Sequence, residues 1–204
     1  MNKTPIARPY AVVAFATVGI VSLVSVVLIA WMTGLTNPLL LADPGEVVRW
    51  GLPALKAATN VAMAVAIGGS VFAAFALADK TRELARTLNV VAAASVAWVL
   101  IGSVSYLFTY LSITGSPLSF DATFTGGLQL FITQIALGQS LALNLAGGLV
   151  LATLALMVRS LKATFWLAVV GLASIVPLAV SGHAAGTSNH AMACLLYTSP
   201  SPRD

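Results

Sequence analysis

Charged side chains are scarce in this chain. Ten Lys and Arg and six Asp and Glu amount to 8% of its 204 residues, whereas hydrophobic residues amount to 59%. A soluble domain carries about a quarter charged residues, and this much apolar surface cannot be hidden inside a globule of this length. The composition therefore excludes a water-soluble domain and predicts that the solvent is lipid. The net charge of +4 does not indicate nucleic-acid binding, because the cations are confined to short segments.

Cysteine is represented by Cys194 alone, which excludes a disulfide within the chain. Cys194 also opens the stretch 194–204, whose sequence matches an in-frame translation of a transposase adapter used in sequencing libraries. We therefore expect residues 194–204 to be foreign to the protein. The native part is expected to be one integral membrane domain, 1–193, truncated because the native chain continues beyond Ala193.

The motifs of common hydrolases and nucleotide-binding proteins are also missing. The sequence contains no Gly-x-Ser-x-Gly motif and no phosphate-binding glycine loop of the Walker type. Ser181 and Ser188 lie close to histidines along the chain, but no acidic residue is placed to orient a histidine as a base. The sequence thus predicts a protein that is not an enzyme.

Five long apolar segments are present, and their apolar residues run continuously instead of alternating with polar ones. Only helices and closed barrels satisfy backbone hydrogen bonds in lipid, and continuous runs of about 20 apolar residues indicate helices. The predicted fold is therefore all-α, a multi-pass transmembrane helical bundle. The five predicted spans are about 10–31, 52–77, 88–111, a segment within 127–157, and 163–181.

The positions of Lys and Arg predict the orientation in a bacterial cytoplasmic membrane. Without Arg203, seven of nine cations flank one set of span ends: Lys3, Arg8, Lys80, Arg82, Arg86, Arg159 and Lys162. Cytoplasmic loops carry such an excess, so the N-terminus is predicted to be cytoplasmic. The segments near Asp43, near Asp121 and after Ser181 are predicted to lie outside. Aromatic residues expected at the outer interface are Trp31, Trp50, Tyr106 and Tyr110.

The fourth segment has a polar face. At 100° per residue, one side of a continuous helix would carry Gln129, Thr133, Ser140, Asn144 and Gly147. A helix over 127–157 would be ~46 Å long, against a hydrocarbon core of ~30 Å, so its outer part is expected to project, tilt or lie in the interface. The polar face is interpreted either as the lining of an ion path or as interhelical hydrogen bonding with close packing at Gly147 and Gly148.

The second segment contains polar and small residues for which a structural role is expected. Lys56 and Arg49 are interpreted as side chains that reach the outer interface. The Gly-Gly-Ser run at 68–70 is expected to allow close helix contact. Asp43 and Asp121 are interpreted as solvated carboxylates in loops.

The two histidines of the chain follow the fifth segment and lie seven residues apart. Gly182 is suited to end a helix, and Thr187, Ser188 and Asn189 are suited to begin another. We predict that His183, His190 and Met192 form part of a metal site, because imidazole suits copper and zinc and a thioether selects Cu(I). The alternative is a pair of interface histidines without a ligand.

A family resemblance rests on this stretch. Gly182-His183-Ala184-Ala185-Gly186 followed by Asn189-His190, after several apolar helices, resembles the copper-resistance D membrane proteins. It is most similar to the N-terminal half of bacterial fusions with a cytochrome c oxidase assembly domain. The resemblance implies copper as cofactor or cargo, with His183 and His190 as ligands, whereas Met192 rests on ligand softness alone. Later helices of the family, with further histidines and a Trp-Gly-Gly type motif, are absent from this chain.

The predicted function is therefore copper transport or copper resistance, with a possible link to copper supply for cytochrome c oxidase. The predicted partners are the lipid bilayer, copper, and an extracytoplasmic copper chaperone or oxidase assembly factor. Two alternatives stay open. One is a haem-binding electron-transfer membrane protein, which is disfavoured because both histidines lie at one surface. The other is a membrane assembly subunit without a ligand.

Overall fold

The structure is a computed structural model that describes residues 7–34, 36–38, 43–158 and 160–180. Across these ranges the chain is helical and contains no strand, which confirms the predicted all-α fold. The helices are α1 (Ala7–Met32), α2 (Glu46–Ala76), α3 (Arg82–Thr114), α4 (Ala122–Thr133), α5 (Ala136–Met157), α6 (Leu161–Ala173) and α7 (Val176–Val180).

Four of the predicted spans are helices long and apolar enough to cross a membrane. They are Glu46–Ala76, Arg82–Thr114, Ala136–Met157, and the joined stretch Leu161–Ala179. In α1, the apolar helix identified within the described residues is Gly19–Met32. This stretch is shorter than the ~20 residues that a crossing takes, so the fifth span and the cytoplasmic N-terminus stay predictions. The chain is a multi-pass membrane protein.

The turns between helices fix the two ends of the bundle. Thr81 caps α3 by accepting a hydrogen bond from the Leu84 amide at 3.2 Å. The Asp79 carboxylate accepts one from the Leu161 amide at 3.1 Å, which holds the start of α6 beside the α2–α3 turn. We call this the Asp79 end, and we call the opposite end, where α2 begins and α3 ends, the Glu46 end.

The α2–α3 pair is the most extensive helix contact, and small residues bring the two helices together. A Cβ atom on Gly69 would lie 2.8 Å from Val91 Cγ2, whereas one on Gly68 would meet no described atom within 4 Å. The close contact predicted for the 68–70 run is therefore confirmed at Gly69 and wrong at Gly68. Trp98, Leu151 and Leu167 complete the core between α2, α3, α5 and α6.

The fourth predicted segment is divided between two helices and does not form the single continuous helix on which its polar face was drawn. α4 ends at Thr133 and α5 begins at Ala136. The Gln139 side-chain amide donates to the Thr133 carbonyl, which the break leaves without a helical partner. Gly138 makes the junction possible, because a Cβ at this position would lie 1.9 Å from the Phe131 carbonyl oxygen.

Aromatic residues fill the space between α3 and α4. Tyr110 is 5% exposed and its hydroxyl donates to the Phe124 carbonyl at 3.1 Å. Its ring packs edge-on against Phe124 at 5.3 Å. The residues of α4 cover the Tyr110 ring, and its predicted interfacial position stays a prediction.

Candidate functional site: a polar cleft at the Glu46 end

The predicted metal ligands His183, His190 and Met192 lie outside the described residues, so the metal site stays a prediction. The description of α7 ends at Val180, three residues before His183. Over the described ranges no group of three His, Cys, Asp or Glu side chains could hold a metal ion.

A buried hydrogen-bond network joins the helices near their middle. The Trp98 indole N–H donates to Asn144 Oδ1 at 3.2 Å, and Asn144 Nδ2 donates to the Ser174 carbonyl at 2.8 Å. Asn144 Nδ2 also lies 3.7 Å from the sulfur of Met63. Asn144 is 4% exposed and Trp98 is fully buried. The amide of Asn144 therefore links α2, α3 and the α6–α7 junction to α5.

The Ser174 carbonyl needs this partner because the helix is interrupted after it. Pro177 has no N–H group for the Ala173 carbonyl four residues before it, and the regular helix α6 ends at Ala173. The Leu178 amide donates to the Ile175 carbonyl at 3.0 Å and not to Ser174, four residues before it. An unpaired carbonyl inside a membrane protein costs several kcal/mol. The arrangement supports the interhelical interpretation of Asn144, and Gly147 and Gly148 pack against Ser174 and Trp98 as that interpretation expects.

Three neighbouring cavities form a cleft that starts at the Glu46 end and reaches this network. The end cavity is about 470 Å³, the middle cavity about 170 Å³ and the inner cavity about 30 Å³. Lys56 lines both the end and middle cavities, and Thr59, Ser105, Leu141 and Asn144 line both the middle and inner ones. Because they share lining residues, the three cavities adjoin one another, and we call them together the polar cleft.

Hydroxyl groups of α2 and α3 line the polar cleft. The Thr59 hydroxyl donates to the Leu55 carbonyl at 2.8 Å, and the Thr109 hydroxyl donates to the Ser105 carbonyl at 2.7 Å. Their protons are thereby committed to the backbone, so the oxygen lone pairs are left to accept from a molecule in the cleft. The amide of Asn60 and the thioether of Met63 complete the middle cavity.

A further polar group of the cleft is the Tyr106 hydroxyl. It is buried and finds no hydrogen-bond partner among the described residues. The Tyr106 ring packs against Phe131 with centroids 5.3 Å apart, so its position is fixed by the aromatic cluster. Tyr106 lines the inner cavity together with Asn144, and its predicted interfacial position stays a prediction.

Two cations line the cleft, and one of them is paired with a carboxylate. The Arg49 guanidinium pairs with the Asp43 carboxylate, and its Nε also donates to the Thr36 carbonyl at 2.9 Å. The hydrogen bond from Arg49, helped by the Gly45 amide, holds the pKa of Asp43 below its ordinary value. Lys56 has no ion-pair partner within the described ranges. Among the described residues that line the cleft, Lys56 is therefore the cation without an ion pair.

The polar face predicted for the fourth segment is only partly in this site. Gln129 and Thr133 are exposed on α4, and the break before α5 removes them from the face that Asn144 occupies. Ser140 is half-buried on α5, and Asn144 alone of the predicted polar side chains lines the cleft. The sequence interpretation missed Lys56, Thr59 and Met63 as a set, although their spacing of three, four and seven residues placed them on one face of α2.

Comparison with known proteins identifies the family to which the chain belongs. The model of the copper resistance protein D-like N-terminal domain matches residues 41–191, a range that contains Lys56, Tyr106 and Asn144. None of the curated proteins and none of the solved structures matches the chain. The matched range is well over half of the chain and confirms the resemblance carried by the Gly-His-Ala stretch. The protein belongs to the copper resistance protein D-like family, and the chain contains the N-terminal domain of that family.

Proposed function

We propose that this protein handles copper at the bacterial cytoplasmic membrane, by transport or by conferring copper resistance. The observation that carries the proposal is the family match over residues 41–191. A fold alone does not establish an activity, but here a polar cleft enters a helical bundle that is otherwise apolar. Such a cleft supports passage of a small polar species between the helices.

The proposed copper ligands are His183 and His190, with Met192 as a softer third ligand. Imidazole binds both common oxidation states of copper, and a thioether prefers Cu(I). Leu178 of α7 lines the middle cavity, and His183 follows five residues later in the chain. This short separation along the chain supports exchange of copper by these side chains near the mouth of the cleft, without passage of the cation through it.

The proposed chemistry is exchange of ligands and not the making of covalent bonds, so the protein would not be an enzyme. Copper would arrive from an extracytoplasmic chaperone or leave toward an oxidase assembly factor. The resemblance to fusions with a cytochrome c oxidase assembly domain supports the second direction. Both partners are part of the proposal.

The test compares the full chain with the double variant His183→Ala/His190→Ala in cells. We expect the double variant to reach the membrane in equal amount but to lose the change in cellular copper content and copper tolerance that the parent confers. Ser103→Ala, on an exposed face of α3, is the control and should behave like the parent. Unchanged copper content and tolerance in the double variant would refute the assignment of these ligands, and a Soret band in the purified protein would instead support haem.

A further inference from the structure

We propose that the polar cleft is a water-filled vestibule with a positive potential, which admits small anions in preference to small cations. The inference concerns solvent and charge only, and it is tested without copper. It is therefore independent of the copper proposal. Three observations support it: the adjoining polar cavities, the Tyr106 hydroxyl without a partner among the described residues, and the Lys56 charge without an ion pair among them.

The adjoining cavities provide space for water. The end cavity of about 470 Å³ and the middle cavity of about 170 Å³ meet at Lys56, and both exceed the ~30 Å³ that one water occupies in the liquid. A cavity holds water when two to four polar groups can bind it. The middle cavity presents the acceptor oxygens of Thr59 and Thr109 and the amide of Asn60.

The Tyr106 hydroxyl marks the inner limit of the water. A buried polar group without a partner costs roughly 1–3 kcal/mol, and no described side chain or carbonyl meets this hydroxyl. The inner cavity of about 30 Å³ beside it is large enough for one water and is also lined by Ser105 and Asn144. A water at this position can accept from the Tyr106 hydroxyl and donate to a neighbouring oxygen.

The charge of Lys56 makes the electrostatic potential of the vestibule positive. It lies ten residues after Glu46, so its Cα is ~15 Å along α2 from the Glu46 end. The Lys56 side chain is exposed. An ammonium without an ion pair is costly in lipid, and the vestibule supplies the water that solvates it. Arg49 is neutralised by Asp43, so the net charge that a solute meets inside is that of Lys56.

The experiment measures cysteine reactivity of the full chain in lipid nanodiscs, where both membrane faces are open to the buffer. Cys194 is replaced by serine in every variant. Thr59→Cys and Asn60→Cys place a thiol in the middle cavity, and Ser103→Cys places one on the opposite, apolar face of α3 next to exposed Leu100 and Val104. The probes are two membrane-impermeant methanethiosulfonates of similar size, the anionic ethylsulfonate and the cationic ethyltrimethylammonium.

We expect both cleft cysteines to react and Ser103→Cys to stay unlabelled until the protein is denatured. Relative to a free thiol, the anionic reagent should react about tenfold faster than the cationic one, because the charge of Lys56 acts at short range with opposite sign on the two. Lys56→Gln should abolish that preference while leaving the cysteines reactive. Asn60→Cys provides a second position should Thr59→Cys fail to assemble.

Two results would overturn the proposal. Cleft cysteines as unreactive as Ser103→Cys in the folded protein would mean that lipid or protein, and not water, fills the cleft. Reactivity without a difference between the two reagents, or a difference that survives Lys56→Gln, would leave a hydrated cleft without the proposed selectivity. Neither result depends on whether the protein binds copper, so failure here is separate from failure of the copper proposal.

Discussion

Asn144 is a buried amide near the middle of α5, and it satisfies groups on three other parts of the chain. It accepts from the Trp98 indole, donates to the Ser174 carbonyl and contacts the sulfur of Met63. Each of these groups is embedded among helices where no other described side chain replaces the amide. The residue therefore stabilises the bundle, in addition to its position at the wall of the polar cleft.

Replacement of Asn144 by leucine, which has a similar volume, is expected to lower the free energy of unfolding by about 1–3 kcal/mol, because it leaves the Trp98 N–H and the Ser174 carbonyl unpaired. Asn60→Leu is the matched control, since Asn60 is exposed and no hydrogen bond of its side chain would be lost from the network. Unfolding in mixed detergent micelles with increasing sodium dodecyl sulfate measures both. Equal losses in the two variants would contradict this role of Asn144.

Broken helices shape this molecule more than its composition suggests. The fourth segment divides between Thr133 and Ala136, and the last span is interrupted at Ser174. Breaks in membrane helices are tolerated where other groups satisfy the freed backbone atoms. Here the side chains of Gln139 and Asn144 fulfil this requirement.

Gly138→Ala is expected to destabilise the junction of α4 and α5 by about 1–3 kcal/mol, the usual cost of overpacking. The added Cβ would lie 1.9 Å from the Phe131 carbonyl oxygen, so the helices must separate. Gly126→Ala in α4 is the control, because its Cβ would meet no described atom within 4 Å. The control should be neutral or slightly stabilising in the same unfolding assay. A tolerated Gly138→Ala would show that the two helices are not in close contact.

The interruption of the last span should be coupled to Asn144. In Pro177→Ala the new N–H group at position 177 can bond the Ala173 carbonyl, so the helix can continue and the Leu178 amide can donate to the Ser174 carbonyl instead of the Ile175 carbonyl. Asn144→Leu is then expected to cost about 0.5–1 kcal/mol less than it does in the parent. Pro53→Ala, at the other proline inside a helix, is the control and should leave the cost of Asn144→Leu unchanged. Additive effects of Pro177→Ala and Asn144→Leu would contradict this account.

The whole bundle has two chemically different ends. Lys80, Arg82 and Lys162 lie at or near the Asp79 end, and the polar cleft opens at the Glu46 end. The excess of cations predicts that the Asp79 end is cytoplasmic, which would make the cleft open to the outside. The predicted position of His183 and His190 on the outer side agrees with this orientation.

The orientation is measured with Glu46→Cys and Glu83→Cys, two exposed positions in the first turns of α2 and α3 at opposite ends. Both variants carry Cys194→Ser. An impermeant thiol reagent applied to spheroplasts is expected to label Glu46→Cys, whereas Glu83→Cys should react only after the membrane is disrupted. The reverse pattern would place the cleft on the cytoplasmic side and refute the predicted topology.

Composition and run length were sufficient to predict the lipid solvent, the helical fold and four of the spans. These properties depend on each segment by itself, because a run of apolar residues is stable in lipid only as a helix or barrel. The family could also be recognised from the sequence, since the resemblance rests on a short motif and on the helices before it. The region of His183 and His190 lies beyond the described residues, so its site stays a prediction.

The break in the fourth segment and the residues that line the cleft depend on how the helices pack against one another. The break after Thr133 requires that Gly138 meet a carbonyl of α4, and neither residue alone indicates that contact. Three different helices contribute side chains to the cleft. They bring Lys56, Tyr106 and Asn144 to adjoining cavities only because α2, α3 and α5 pack side by side. Helical periodicity places residues on a face of one helix, but which faces meet depends on side-chain fit across the bundle.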